Sequence, residues 1–494
     1  VGVVRKQSIF ITGIIYTGFL LGALNVLYLF PKYFTAEEFG LTRVLFAGAS
    51  TFMQLASLGV PALMIKFFPY YNDRLDKKEN DFLFLSLIIP IIGFAIISGL
   101  LFVFRDSAMA LYEKKSPLFS QYFDLLFIFS FFYLIYRILE TYASIIFKNV
   151  VPAFIREIGI RAFHLLLILL FVYAIIGFDW FIKAYVVSYF LGLLLLIAYI
   201  IYLKRWHIAA SLSNVTRKIK KPVAGYGSFL YGGGILIILA ENIDTMLIAG
   251  ISGLQGTAVF AVASYISTII QVPQKSMNTV VAPMVAQAWK NKDMEKIGTL
   301  YRKTAVTQLC ISIFIFLCIW LNIDLLFSFL PPIYAEGKWI IFLMGTARII
   351  DQGMGINGEL LNTSKYWRVS FLADVILIAC TIPLNYFLIK EFGIIGSAAA
   401  NFIAYGLFNL FRFWFVWSRF GLQPFSSKQW WPLIIGIAVF FGAEYLPVWN
   451  HFLLSAFFNT GFVVLFFGVL IIKLKVSEDI NLFVGQIKGR IIKN

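Results

Sequence analysis

The residues of this chain whose types could do chemistry are charged side chains set inside long apolar runs. Arg137 and Glu140 share one such run, and Arg156, Glu157, Arg161 and His164 share the next. Arg348, Asp351, Glu359 and Asp374 follow in the second half, with Glu241, Asp244 and Lys275 before them. A charge at bilayer depth costs about 2.5–3.5 kcal/mol on insertion scales, so each needs a partner or a watery cavity. The planar fork of arginine bonds two phosphate oxygens at once. Arg161, Arg348 and Arg137, with Lys275 and His164, are therefore candidates to receive a diphosphate or an acidic sugar. Asp374, Asp351, Glu241, Asp244 and Glu359 are candidates to couple transport to H⁺ or Na⁺, because a carboxylate in a low-dielectric setting exchanges its charge for a proton or a cation. Membrane potential alone is a third drive for an anionic substrate.

Each of these residues also has a plainer reading. Arg348 with Asp351 and Arg137 with Glu140 stand at i,i+3, and Glu157 with Arg161 at i,i+4, so all could be internal pairs. His164 is either a proton relay or a packed, hydrogen-bonded ring. Glu241 and Asp244, toward the end of their run, are either coupling groups or solvated structural carboxylates.

Positioning these side chains falls to membrane helices. Hydrophobic residues make up 60% of the 494 positions and charged ones 13%, and the mean hydropathy is +0.85. Apolar runs of about 20 residues recur, too long and too unalternating for barrel strands, and we count about 14 candidate spans. The run at 117–147 is longer than a bilayer needs, so it tilts or projects. The first run, from about Ser8 to Phe30, is too long for a signal h-region and ends without a small-residue cleavage site, so it reads as a span. The numbering opens at Val1 and is expected to lack an initiator methionine. Cys310, Cys318 and Cys380 all sit in apolar runs, which argues against a disulfide framework or a zinc site.

The net charge of +16 follows topology rather than a nucleic-acid face. With the N-terminus inside, segments on the cytoplasmic side hold about 29 of the basic residues. They include Arg5, Lys6, Arg74, Lys77 and Lys78, then the loop from Lys204 to Lys221, then Lys290 to Lys303 and the tail with Lys473, Lys475, Lys488, Arg490 and Lys493. Both termini are thus expected in the cytoplasm. A nucleic-acid or anionic-lipid role for residues 204–221 is the alternative, weakened by the lack of aromatic interleaving beyond Trp206.

The chain repeats itself. The 216 positions between Gly40 and Gly256 also separate Gly177 from Gly393 and Ala184 from Ala400. Two regions agreeing without a gap indicate two six-span halves, and an even number of spans makes the repeat parallel. The expected plan is all-α and polytopic: an N-terminal lobe over 1–203, a basic cytoplasmic linker over 204–222, and a second lobe over 223–417. Two further spans follow over 418–473, then a cytoplasmic tail over 474–494. The two pseudo-symmetric lobes would surround a central cavity, and the tail SEDINLFVGQIKGRIIKN would form a short interfacial helix. Gly232, Gly233 and Gly234 are not followed by Gly-Lys-Ser/Thr, so they form no phosphate loop and instead permit bending or close helix contact.

The stretches FPKYFTAEEFGLTRVLFAGASTFMQLASLGVP and ENIDTMLIAGISGLQGTAVFAVASYIS carry a family pattern. An acidic residue, a few apolar positions, a turn with Gly and then a Tyr are matched by Asp244, Gly256 and Tyr265. The chain resembles the polysaccharide-flippase branch of the multidrug/oligosaccharidyl-lipid/polysaccharide exporter superfamily. That resemblance implies movement of an undecaprenyl-diphosphate-linked oligosaccharide across the bacterial cytoplasmic membrane by alternating access, for cell-surface polysaccharide biosynthesis. It implies no cofactor and no enzymatic step, with membrane lipid and other polysaccharide-assembly membrane proteins as partners. Some relatives carry arginines in the first span; here that span has Thr12, Thr17 and Asn25 but no arginine beyond Arg5. This departure argues against the branch that moves the peptidoglycan precursor. A multidrug-type cation antiporter of the same superfamily is one alternative, disfavoured by the arginines and the two extra spans. A polysaccharide polymerase is another, disfavoured because no external segment exceeds about 15 residues and no nucleophile or metal constellation is present.

Overall fold

The computed structural model describes residues 2–76, 79–146, 148–446 and 452–491. Lys77, Lys78 and Lys493 of the charge pattern lie outside the described residues, as do the side chains of Arg5, Lys6, Lys221, Lys488 and Arg490. The described residues are helices and their connections, with no strand among them. Among the described residues, ten helices are long and apolar enough to cross a membrane, and an eleventh counts if one bent pair is a single span. Large side chains such as Phe102, Trp180, Tyr202 and Phe457 stand exposed on them, which only a lipid solvent makes tolerable at this density. The chain is a multi-pass membrane protein. The expected spans outside that set have visible reasons. Val150–Val172 is helical throughout but carries Arg156, Glu157 and Arg161, whereas Lys338–Gly353 and Trp430–Gly442 are short.

By their internal contacts the residues form two compact units, Val1–Ala261 and Val262–Asn494. The first contains α1 (Gly2–Ala23), α2 (Ala36–Ala56), α3 (Val60–Asn72), α4 (Phe82–Val103), α5 (Leu125–Ile145), α6 (Ile160–Val172), α7 (Phe178–Tyr202) and α8 (Asn214–Ile251). Helix α9 (Gly253–Thr268) begins in it. The second unit contains α10 (Val272–Lys290), α11 (Met294–Leu321), α12 (Lys338–Gly353), α13 (Asn357–Thr363), α14 (Trp367–Phe392), α15 (Ile394–Phe420), α16 (Trp430–Gly442), α17 (Phe452–Phe462) and α18 (Glu478–Ile491).

In the first unit α2 is central, packing on α4, α5 and α8. Its start is a capping box: Glu38 N–H donates to the Thr35 hydroxyl at 3.2 Å, and Thr35 N–H donates to the Glu38 carboxylate at 2.9 Å. One turn on, Gly40 lies against the backbone carbonyl of Leu254, where a Cβ would collide. The turn and its partner 216 positions later thus touch through a glycine, and Gln255 donates to Glu37 beside it. At the other end of α2, Gly59 adopts φ +75° and turns the chain into α3 with a 44° bend. The basic segment expected as a linker is a loop only as far as Ser213. Ser213 then caps α8, its hydroxyl accepting from Thr216 N–H, and Arg217, Lys218 and Lys220 ride on the first turns of that 38-residue helix. Buried Asp81 holds this start, accepting from Ser213 N–H at 2.9 Å and from the Thr216 hydroxyl at 2.7 Å.

In the second unit α15 packs along α14 and α12, and α11 along α10, α12 and α16. The C-terminal helices are part of the core: Val306, Cys310 and Ile313 of α11 bury Ile435 and Val439 of α16 and Phe467 and Ile471 beyond α17. The expected tail helix is present as α18.

Candidate functional site

The first unit joins its intramembrane charges into one chain. Glu140, with only 7% of its side chain exposed, accepts from Arg137 on its own helix and from Arg156 Nη1 at 2.7 Å. Arg156 Nε donates to Glu157 at 2.8 Å, and Glu157 in turn accepts from Arg161 Nη2 at 3.0 Å. The i,i+3 and i,i+4 pairs expected from spacing are both formed, and Arg156, absent from the candidates drawn from sequence, links them. Three guanidinium groups against two carboxylates leave one positive charge over.

Local backbone puts these groups together. Ile155–Gly159 is a π turn, closed by Ile160 N–H donating to the Ile155 carbonyl. Such widened turns insert a residue and re-aim the side chains they carry, here Arg156 and Glu157. Helix α1 approaches that turn through Gly18, whose Cβ, if present, would meet Glu157 Cβ at 2.7 Å. A second π turn, Leu24–Leu29, follows α1 and carries Asn25, whose amide donates to the Arg161 carbonyl at 3.1 Å. Asn25 Oδ1 and Arg161 Nη1 are buried without a hydrogen-bond partner among the described residues. Buried polar atoms are rarely left so, and such orphans mark sites with unmet bonding capacity.

His164 is a packed ring. It stacks on Tyr185 with centroids 4.3 Å apart and its Nε2 lies 3.0 Å from the Ser188 hydroxyl. That hydroxyl donates to the Tyr185 carbonyl at 2.6 Å, so the imidazole is the donor to it. Arg43 of α2 lies within electrostatic reach of His164 and stacks over Phe39 at 4.9 Å; it too was not singled out from sequence. On α8, Asp244 is buried and Glu241 exposed, with Asn242 between them donating to the Ser50 hydroxyl at 2.9 Å.

The second unit builds its polar cluster on one stripe of α15. Tyr405, Phe408, Asn409 and Arg412 recur at i, i+3, i+4 and i+7 and so share a face. The Arg348 guanidinium lies over the Tyr405 ring at 4.7 Å. With the Gln271 amide turned so that its oxygen faces the arginine, Arg348 donates to it from Nε at 3.1 Å and Nη1 at 2.8 Å. Asp351 accepts from Asn409 at 2.9 Å and from Gln274 at 3.1 Å. Arg412 donates to Asp374 at 3.1 Å and to the Ser370 hydroxyl at 3.3 Å, and its guanidinium covers the Phe408 ring at 3.9 Å. Glu359 lies within electrostatic reach of the same arginine. Lys275, next to Gln274, is exposed on α10.

The cluster therefore gathers Arg348, Asp351, Asp374 and Glu359 around α15. Its organiser, Arg412, was missed because it stands among aromatics near the basic end of its run. The signal was its spacing from Asn409 and Tyr405. Among the described residues no group of three or more His, Cys, Asp and Glu could hold a metal ion.

A family model described as polysaccharide biosynthesis protein matches residues 4–289, and one described as MatE matches residues 232–387. No curated protein sequence matches the chain. Among solved structures, the lipid II flippase MurJ in an inward closed conformation superposes with a TM-score of 0.70 at 15% identity, covering 94% of this chain and 99% of that one. An inward-facing multidrug resistance MATE family transporter of the MOP superfamily gives 0.58 at 17% identity, covering 82% and 94%. A MOP superfamily transporter from Pyrococcus furiosus, described by the reverse polarity of its binding pocket, gives 0.53 at 14% identity, covering 84% and 94%. At these identities the likeness is one of fold.

Proposed function

We propose that this chain, which belongs to the polysaccharide biosynthesis protein family, is a flippase for a polyprenyl-diphosphate-linked oligosaccharide in the bacterial cytoplasmic membrane. Its fold is that of MOP-superfamily flippases and transporters. The observation that carries the reading is the chain from Arg137 to Arg161, with one positive charge beyond its carboxylates and orphaned polar atoms on Asn25 and Arg161. A diphosphate is a bidentate acceptor. Arg161 would take it first, with Arg137 and Arg156 exchanging carboxylate oxygens for phosphate ones as the substrate enters. Each guanidinium carries five N–H donors, so one can stay on its carboxylate while others turn to phosphate, and the exchange strands no charge. The oligosaccharide would cross in water while the polyprenyl tail stays in the bilayer, and both termini would lie in the cytoplasm.

Arg412, Asp351, Glu359 and Asp374 support a coupling role for the second unit. A proton or Na⁺ captured by Asp374 would loosen its bond to Arg412, altering the packing of α14 on α15. The test is reconstitution in liposomes with a defined lipid-linked oligosaccharide, with and without a proton or Na⁺ gradient. Appearance of the sugar in the opposite leaflet is expected, faster with the coupling gradient. If a cationic dye crosses and no polyprenyl-linked sugar does, the antiporter reading, favoured by the MatE match over residues 232–387, replaces this one.

A further inference from the structure

One face of α11 changes character along its length. Thr299, Arg302 and Lys303 stand at its start, Thr307 one turn on, and Cys310, Ile311 and Phe314 after that. Two cavities follow the same face and share Thr307 and Asp479 in their walls. The first, of about 220 Å³, is polar and adds Ser426, Lys428 and Ser477 to Arg302 and Lys303. The second, of about 430 Å³, is an apolar trough between Phe314, Phe467, Ile471, Ile472 and Phe483. A charged recess opening into an oily channel, at the end of a membrane helix, has the outline of an amphiphile.

The charges in the recess are unequally committed. Lys303 meets the Glu478 carboxylate at 2.7 Å and Lys428 meets it at 3.8 Å. The Thr307 hydroxyl lies 2.8 Å from that of Ser477 and donates to Asp479 at 3.3 Å, which fixes the start of α18 on α11. Arg302, exposed in the same recess, forms no ion pair among the described residues. Its guanidinium, with the Thr299 and Ser426 hydroxyls, is the anion-binding capacity that the fold leaves over. Three cations against two carboxylates make the recess net positive.

We propose that an anionic phospholipid of the surrounding leaflet seats here, its phosphate on Arg302 and Lys428 and one acyl chain in the trough between α11, the helical segment at residues 463–473 that follows α17, and α18. The lipid fastens the tail helix and the two C-terminal spans to α11, a role separate from substrate transport and independent of the flippase reading. Each basic residue near a membrane surface contributes about 1 kcal/mol toward an anionic lipid. Arg302 and Lys428 together should thus favour an anionic over a zwitterionic headgroup by about fivefold to thirtyfold.

The experiment is native mass spectrometry of the full chain, delipidated in mild detergent and mixed with dioleoyl phosphatidylglycerol or dioleoyl phosphatidylcholine. Preferential retention of phosphatidylglycerol is expected, falling to the phosphatidylcholine level in Arg302→Gln/Lys428→Gln and largely kept in Arg302→Lys. Glycerol phosphate, which has the head but no tail, should not displace it. Equal retention of the two lipids by the unaltered chain would overturn the proposal whether or not the double variant folds. So would undiminished retention by a folded double variant, or displacement by glycerol phosphate, which would assign the recess to a soluble phosphate.

Discussion

Glu140→Gln is the sharpest perturbation of the charge chain, because one nearly buried carboxylate holds two arginines. The amide keeps the shape and one acceptor oxygen but removes the negative charge. The site then carries three guanidinium groups against Glu157 alone. Breaking a fully buried pair costs about 3–5 kcal/mol, mostly from the charge left unpaired. Here the arginines keep 35% and 40% of their side chains exposed, so water recovers part of that loss and about 2 kcal/mol remains. Thermal melting of purified protein should fall for Glu140→Gln and recover in part for Arg137→Gln/Glu140→Gln, since the second change removes a stranded charge. The double-mutant cycle should show a coupling of about 1–2 kcal/mol. Flipping should respond differently. Arg161→Gln should lose transport at normal membrane expression, because it removes the group with spare bonding capacity, whereas Glu140→Gln adds net positive charge and should keep substrate binding. Strict additivity in melting, or a Glu140→Gln protein as stable as the parent, would refute the linked chain. Undisturbed export by Arg161→Gln would refute its part in binding.

Other expectations follow from single contacts. Arg412→Gln should abolish gradient-driven flipping and lower the melting temperature, and Asp374→Asn in the same chain should restore stability but not coupling, read by melting and by transport with and without the gradient. Gly40→Ala places a methyl group on the Leu254 carbonyl and should cost about 1–3 kcal/mol, whereas Gly232→Ala, with nothing within 4 Å, should melt like the parent. The Glu478 carboxylate is held below its ordinary value of 4.5 by its hydrogen bond to Lys303, then by the charges of Lys303 and Lys428. Its hold on the tail helix is therefore complete above about pH 4.5 and is lost as pH falls through the lowered value. Hydrogen exchange of α18 should rise only at strongly acid pH in the parent and at higher pH in Lys303→Gln.

Apolar run length made the membrane class and most helices legible from sequence, because lipid leaves the backbone few choices. The pairs Arg137–Glu140 and Glu157–Arg161 were legible for a related reason: they are local to one helix, and helical geometry fixes them. What joins them was not. Arg156 reaches Glu140 from another helix, across a turn widened by one residue, and no linear spacing encodes a π turn. Arg412 and Arg43 were hidden because each lies over aromatic rings, and aromatics among apolar residues read as lipid-facing bulk. The same limit applies to Asp351. Spacing offers it Arg348 on its own helix, while the fold also brings Asn409 and Gln274 to it from neighbouring ones.

Helix α8 is 38 residues long, or roughly 57 Å at helical rise, against a hydrocarbon core of roughly 30 Å. Its first turns, bearing Arg217, Lys218 and Lys220, therefore reach well beyond the apolar layer while its far end holds Asn242 against Ser50 of α2. A continuous helix of this length is a stiff rod passing through the bilayer surface. Tilting at the buried end is amplified at the basic end, where a spin label or fluorophore sits in water and away from every candidate site residue. The projecting turns are thus a pointer from which the conformational cycle can be read on the intact transporter, and equally a handle by which a soluble binding protein could hold that cycle still.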